Sequence, residues 1–491
     1  MRYHSTRGGS PVISGSSAIL AGLAPDGGLY LPVELPRLDW QALLQGDTFA
    51  IATGILSAFF PDLPHMEELV RQAYGGKFES DELTPLAQVG DRHVLELFRG
   101  PTSAFKDVAL CMLPRLMMAA KEVCGCTDHT TILTATSGDT GKAALEGFRD
   151  VPGIDICVFY PHGGVSDVQR RQMVSQEGGN VRVCGVRGNF DDCQTGVKQI
   201  FSQNPGRGLS SANSINIGRL VPQITYYFTA YRDLMRKGAI QMGDQVNFSV
   251  PTGNFGDILA GFLAKKLGLP VGRLICASND NDVLTEFLST GRYDRLRPLH
   301  KTKSPSMDIL VSSNLERLLH LLTEDAGLVP ELMAQLDRSG RYRVPDDLLE
   351  RIRNHFWGGC CGDLRGQMAI GKVWREQGYL MDTHTAAGWQ VADDYVNQTG
   401  DTRPVVVLST ASPYKFPAAV IAAITADPAL PLHEYTLALL KEPADDGFAL
   451  MQQLHACTGV PIPKNLADLQ HKPERHTAVI EKEEMPAFIF G

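Results

Sequence analysis

Six times along this chain a short run of β-branched and apolar residues gives way to a polar turn. A helical apolar pattern follows most of these turns. The strand-like runs are 131–136, 155–160, 181–186, 246–251, 273–278 and 405–409; the helical stretches include 141–149, 166–176, 191–203, 256–267 and 417–425. Strand, turn and helix in such alternation predict mainly parallel sheets covered by crossover helices, an α/β architecture. The first ~90 residues lack the alternation and read as a mostly helical N-terminal unit. At about 150 residues per domain, 491 residues suggest three domains. The expected division is 1–92 as the N-terminal domain, 93–125 with 216–491 as a large domain, and 126–215 as a small α/β domain.

Charge and cysteine usage narrow the function. Lys plus Arg is 46 against 55 for Asp plus Glu, a net charge of −9 with no basic stripe. Nucleic acid and anionic membrane are therefore not expected as partners, whereas a small anionic ligand needs only a local positive site. The ten cysteines are scattered, and neither Cys124/Cys126 nor Cys360/Cys361 has a matching CxxC, so no metal is expected and the thiols read as reduced. The longest uncharged apolar run, 48–60, is shorter than the ~18 residues of a membrane span and reads as a buried helix. Arg2 and Arg7 are followed by a stretch broken by Gly, Ser and Pro25-Asp26, a poor signal peptide. The cytoplasm is the expected location.

Ligands of open parallel sheets bind where strands end and helices begin. Three such turns carry chemistry. Gly253-Asn254-Phe255-Gly256 lets the backbone wrap closely and aims helix N–H groups at one point, as a phosphate monoester requires; an ordinary βα turn is the alternative. Thr136-Ser137-Gly138-Asp139-Thr140-Gly141-Lys142 is not a P-loop, because Thr136 stands in place of the first glycine and Ala143 follows the lysine. It remains a hydroxyl-rich turn suited to a carboxylate, or one that caps its own helix. In Gly100-Pro101-Thr102-Ser103-Ala104-Phe105-Lys106-Asp107, Lys106 falls near a helix start among apolar neighbours, with Pro114 a kink further on. A positive helix end and desolvation both favour the neutral amine that a Schiff base needs. An amine for an aldehyde, a cradle for a phosphate and a polar turn for a carboxylate are together what pyridoxal phosphate and an amino acid demand.

With these motifs in hand the chain resembles the threonine synthase family of fold-type II pyridoxal-phosphate enzymes. The opening Ser5-Thr6-Arg7-Gly8 and Pro25-Asp26-Gly27-Gly28-Leu29-Tyr30 are similar to that family's N-terminal signature. The segments 102–107, 136–141, 213–219, 253–256, 306–314 and 408–416 match it in order. Lys142 departs from the pattern where a small residue is commoner, placing a charge near the substrate turn, and Ser412 departs where a His is common. The resemblance implies two mainly parallel α/β domains plus the helical N-terminal domain. It implies conversion of O-phospho-L-homoserine and water to L-threonine and phosphate, or, in a lyase relative, release of a 2-keto acid. Lys106, with Phe105 beside it, would carry the cofactor and then move protons. Gly253, Asn254, Phe255 and Gly256 would hold its phosphate, and Thr410 would offer a hydroxyl to the pyridine nitrogen. Thr136, Ser137, Asp139 and Thr140 would face the substrate carboxylate and the cofactor's phenolic oxygen. Arg219, with Asn216 on the same helical face, would grip the substrate phosphate, aided by Ser166 and Gln169.

Overall fold

The computed structural model describes residues 1–490 except Pro205, Glu442, Ala444 and Asp445; Gly491, the last residue of the expected large domain, lies outside the described residues. Two sheets organise the molecule. The larger has six strands in the order Phe356–Cys360, Val271–Ser278, Val246–Pro251, Val405–Ser409, Arg92–Glu96 and Leu86–Val89. All pairings are parallel except the last hairpin. Val246–Pro251 and Val405–Ser409 are buried along their whole length, as expected of parallel strands covered on both faces. The smaller sheet is wholly parallel, in the order Val479–Ile480, Val181–Val186, Ile154–Pro161, Thr130–Ala135 and Leu209–Ser210.

The pairing order positions the functional turns. Val405–Ser409 lies between Val246–Pro251 and Arg92–Glu96, all three parallel. Their carboxyl ends therefore open on one edge. Thr410 emerges there between the 253–256 turn and the segment that enters the Lys106–Val123 helix. The small sheet does the same with its own turns. Thr130–Ala135 leads into the Asp139–Phe148 helix, and Ile154–Pro161 leads towards Asp167–Val174, where Ser166 and Gln169 form a capping box.

Four differences from the sequence reading have physical causes. The boundary expected at 92 divides a hairpin, because Leu86–Val89 is hydrogen bonded to Arg92–Glu96. The edge of the small sheet is completed by Val479–Ile480, from far beyond 126–215, which covers the otherwise open side of Val181–Val186. The N-terminal region begins with a three-stranded antiparallel sheet, Arg2–Ser5 between Ile13–Ser14 and Tyr30–Pro32, ahead of its helices. Pro114 lies within an unbroken Lys106–Val123 helix. The apolar run at 48–60 is the Thr48–Phe59 helix, with Ile51, Ala52, Ile55, Leu56 and Phe59 buried. Among the described residues no helix is long and apolar enough to cross a membrane. All ten cysteines are free.

Candidate active site

Lys106 is the first residue of its helix and is only 8% exposed. Its Nζ lies 4.4 Å from the centroid of the Phe105 ring and 3.7 Å from Oδ2 of Asp139. Burial dominates its titration, and the nearby Lys415 and Arg219 add to it, so that despite Asp139 the amine is pushed down to about 8. The turn before it is tied to Thr410. Phe105 N–H donates to the Thr410 carbonyl at 2.9 Å, and Ala104 bridges Ala411. The Thr410 hydroxyl has no hydrogen-bond partner among the described residues. Ser412 caps the following turn by accepting from Tyr414 N–H at 3.3 Å.

Asp139 is the electrostatic centre. Burial would raise its pKa, but Lys415 and Lys106 outweigh burial and hold the carboxyl well below the usual range. Lys415 is fully buried; its Nζ stands 2.5 Å from Asp139 Oδ1 and donates to the Thr102 carbonyl at 3.2 Å. Gln169 donates to the same carboxylate at 2.9 Å, and Ser306 Oγ at 3.4 Å. Ser306 N–H in turn donates to His384 Nε2 at 3.2 Å, while His384 Nδ1 meets Asp382 at 2.8 Å. Thr136 holds this turn rather than pointing out of it, since its Oγ1 accepts from Gly138 and Gly141 N–H at 3.0 and 2.8 Å. Gly138 has φ 134°, and a Cβ there would come within 2.5 Å of the Gln169 amide, so only glycine fits. Ser137 and Thr140 are half-buried, with hydroxyls unengaged among the described residues.

The 253–256 turn is built for close approach. Phe255 adopts a left-handed φ of 62°, and its ring packs on Phe356 at 5.5 Å. A Cβ on Gly253 would come within 2.7 Å of the Ser306 carbonyl. The turn's carbonyls are taken, Gly253 O by Ser312 Oγ at 2.7 Å and Asn254 O by Asn314 N–H at 3.1 Å. Its N–H groups donate to no described residue. Behind it Asp257 accepts from the phenols of Tyr226 and Tyr227 at 2.7 and 2.9 Å, and burial raises its pKa to about 6.

Arg219 is 3% exposed and has no carboxylate partner among the described residues. One Nη donates to the Ala212 carbonyl, and Nε is buried without a partner. Burial lowers its pKa to about 10. A buried guanidinium left this way calls for an anion. Asn216 does not join it. It is the N-cap of Ile217–Leu220; its Oδ1 accepts from Gly218 N–H and its amide donates to the Ile19 carbonyl, both at 2.9 Å. Ser166 donates to the Lys415 carbonyl at 3.3 Å, and Gln169 faces Asp139, so both serve the Asp139 turn. Lys142 is drawn away from that turn by Glu146 at 3.2 Å and by Gln176. Sequence reasoning missed Lys415, Ser306 and His384 as site residues. Lys415 had a signal, a lysine inside the apolar stretch after Thr410.

Sequence profiles of three families match this chain: threonine synthase N terminus over residues 2–74, pyridoxal-phosphate dependent enzyme over 83–332, and threonine synthase C-terminal over 385–446. The threonine synthase of Pseudomonas aeruginosa is 43% identical over 449 residues, covering 88% of this chain and 92% of that one. This chain belongs to the threonine synthase family. Among solved structures, the pyridoxal-phosphate-bound threonine synthase of Brucella melitensis superposes with a TM-score of 0.85 at 40% identity, covering 100% of this chain and 98% of that one. The yeast threonine synthase gives 0.86 at 33%, covering 99% and 98%. Threonine synthase-like 1 of Homo sapiens is 40% identical, but the match spans 83% of this chain and 58% of that relative. The fold-type II architecture and the pyridoxal-phosphate cofactor follow from this membership. The site fits that cofactor on its own geometry: a depressed lysine amine at a helix start, and a strained turn whose N–H groups are uncommitted.

Proposed function

We propose that this threonine synthase family chain converts O-phospho-L-homoserine and water to L-threonine and phosphate, on the residues named above. The observation that carries the reading is Arg219, a buried cation without a carboxylate among the described residues, close enough to Lys106 to depress its pKa. A cofactor phosphate at 253–256 leaves Arg219 unexplained; a substrate with its own phosphate does not.

Bound pyridoxal phosphate supplies an aldehyde for Lys106 and a sink for negative charge at the substrate α carbon. Lys106 Nζ, titrating at about 8, is poised to take a proton from the α carbon and one from the β carbon and to return one to the γ carbon and one to the α carbon, while the added water gives its hydroxyl to the β carbon and its proton to the departing phosphate. Phe105 walls the amine. The N–H groups of Gly253, Asn254, Phe255 and Gly256 would hold the cofactor phosphate, and the Thr410 hydroxyl would serve the ring nitrogen without forcing its protonation. Ser137 and Thr140 present their hydroxyls to the substrate carboxylate. Lys415 and Gln169 keep Asp139 oriented, so this turn brings no uncompensated negative charge towards that carboxylate. Arg219 takes the substrate phosphate and stabilises it as it leaves.

The small domain, 126–215, then contributes the carboxylate turn, and the large domain, 93–125 with 216–491, contributes Lys106, the phosphate turn and Thr410. Ten unpaired thiols fit a reducing compartment, and we place the reaction in the cytoplasm. The deciding experiment incubates the protein with O-phospho-L-homoserine and identifies the organic product. L-Threonine formed in step with phosphate supports the reading; 2-oxobutanoate as the main product replaces it with the lyase.

A further inference from the structure

The six-stranded sheet has a second edge, where its parallel strands begin and the flanking helices end. Basic side chains collect there. Lys265 and Lys266 close the Gly256–Lys266 helix, Arg353 closes Asp346–Arg353, and Arg273 stands near the start of Val271–Ser278. His355 precedes Phe356–Cys360, and Arg403 precedes Val405–Ser409. A cavity of about 610 Å³ opens on this edge, with Arg273, Arg353, Arg403, Trp357, Tyr395 and Asp401 among its walls. Small-ligand sites typically measure ~300–1,000 Å³.

Helix-end carbonyls explain part of the cluster. Arg353 Nε donates to Leu288 O at 3.2 Å, Arg273 donates to Arg353 O, and Lys265 donates to Gly272 O at 2.6 Å. Carbonyls satisfy donors but leave the charges uncancelled. The carboxylate in the cavity wall, Asp401, is already shared by Arg403 at 2.9 Å, Asn247 at 2.9 Å and Tyr395. The charges of Arg273, Arg353 and Lys265 are thus met by carbonyls, with no carboxylate partner among the described residues. The Arg403 guanidinium lies so close over Gly272, the residue that accepts from Lys265, that a Cβ there would come within 3.0 Å of it. Burial, then Arg273, Arg403 and Lys266, push the Lys265 amine down to about 8. Burial, then Lys265, Lys266 and Arg273, push His355 down to about 4, and its Nδ1 is buried without a partner. In a chain of net charge −9 such crowding is a local exception, and a bound anion relieves it.

We propose that this cavity binds a small ligand bearing a diphosphate group. The site is separate from the phosphohomoserine site, being at the opposite end of the Val246–Pro251 strand, about 20 Å away at ~3.3 Å per residue. Arg273 and Arg353, which line the cavity and are met by carbonyl oxygens, supply the charge beside the Arg403–Asp401 pair. Trp357 and Tyr395, edge to face at 5.4 Å, form an aromatic wall beside it. That wall suits the base of a nucleoside diphosphate, while the cations alone suit inorganic pyrophosphate.

The test titrates the cofactor-loaded enzyme at low ionic strength with inorganic pyrophosphate and, separately, with adenosine diphosphate. Heat is followed by calorimetry, and His355 by NMR of ¹³C-labelled histidine assigned with His355→Asn. Either ligand should raise the His355 titration by at least about one pH unit, because an anion replaces repulsion with attraction. Arg273→Gln and Arg353→Gln should each weaken binding about tenfold, the order expected for losing one charged contact, whereas Arg273→Lys, which keeps the charge, should retain most of it. Tighter binding of the adenosine compound assigns the nucleotide; equal binding assigns the diphosphate group alone. The proposal is overturned if neither ligand moves His355, or if Arg273→Gln and Arg353→Gln both bind as the unsubstituted enzyme does. The His355 reading needs no substitution at Arg273 or Arg353, so a misfolded variant does not remove the test.

Discussion

Two strand-to-helix turns each place a buried aspartate at a helix start and surround it oppositely. After Thr130–Ala135, Asp139 meets Lys415 at 2.5 Å and Lys106 at 3.7 Å and is held firmly charged. After Val246–Pro251, Asp257 meets two phenols and sits near neutrality, with a pKa of about 6. A helix N-terminus favours an anion in both places. In the first turn the chain supplies that anion itself, together with its counter-ions. In the second the aspartate faces the tyrosines, and the N–H groups ahead of it stay uncommitted. The contrast is the physical ground for proposing a phosphate at 253–256 and a carboxylate, held by hydroxyls, at 136–141. Helix position alone does not distinguish them; the partners arriving from elsewhere do.

The comparison breaks most completely at Lys106. Lys106→Ala removes the proposed covalent anchor and proton carrier together, so turnover should fall by more than about 10³-fold. Borohydride reduction of the unsubstituted enzyme, followed by peptide mass spectrometry, should find the cofactor on Lys106 alone. A label on another lysine, or substantial turnover in the alanine variant, contradicts the assignment. Next in size is the clamp on Asp139. Lys415→Met leaves a buried carboxylate with half its counter-charge and should cost about 3–5 kcal/mol in denaturant unfolding. It should also let Asp139 hold the Lys106 proton more tightly. The rate of cofactor uptake by the cofactor-free protein, which rises through pH about 8 as the amine becomes neutral, should then rise only at higher pH. An unchanged pH midpoint would show that Lys415 supports the fold without tuning the amine.

Arg219→Ala should lose roughly 2–4 kcal/mol in kcat/KM for O-phospho-L-homoserine, with partial recovery in Arg219→Lys. The absorbance of the bound cofactor should stay unchanged, since Arg219 is distinct from the 253–256 turn. Loss of cofactor with activity would merge the two phosphate sites. The smallest effect concerns Asp257. Its folded-state pKa lies above its unfolded value near 4, so its stabilising contribution is complete below pH 4 and is lost as pH rises through about 6. Asp257→Asn should therefore gain on the parent by roughly 2–3 kcal/mol between pH 4 and 7. Parallel stability curves for the two proteins would show that Asp257 stays ionised and that the contrast between the turns is false.

Much of this was legible beforehand. Strands at 181–186, 246–251 and 405–409 coincide with the observed Val181–Val186, Val246–Pro251 and Val405–Ser409, because β-branched runs between turn residues declare themselves locally. Lys106 at a helix start and the glycine-bounded turn at 253–256 were equally plain. Asn216 was misjudged although its signal was present: an asparagine two residues before a glycine N–H, at a helix start, is an ordinary N-cap. Lys142 was misjudged because Glu146 one helical turn on, and Gln176, draw its amine away.

The sequence by itself determined the parallel α/β order, the turns at strand ends and the amine, cradle and hydroxyls those turns offer, since periodicity, glycine placement and helix starts are properties of neighbouring residues. Tertiary structure alone decided that Lys415 clamps Asp139, that Val479–Ile480 completes the small sheet, and that Arg219 is left without a counter-ion among the described residues. The physical reason is that the behaviour of a charge depends on burial and on partners a few ångströms away. In this chain those partners come from segments hundreds of residues apart, where no local pattern reaches.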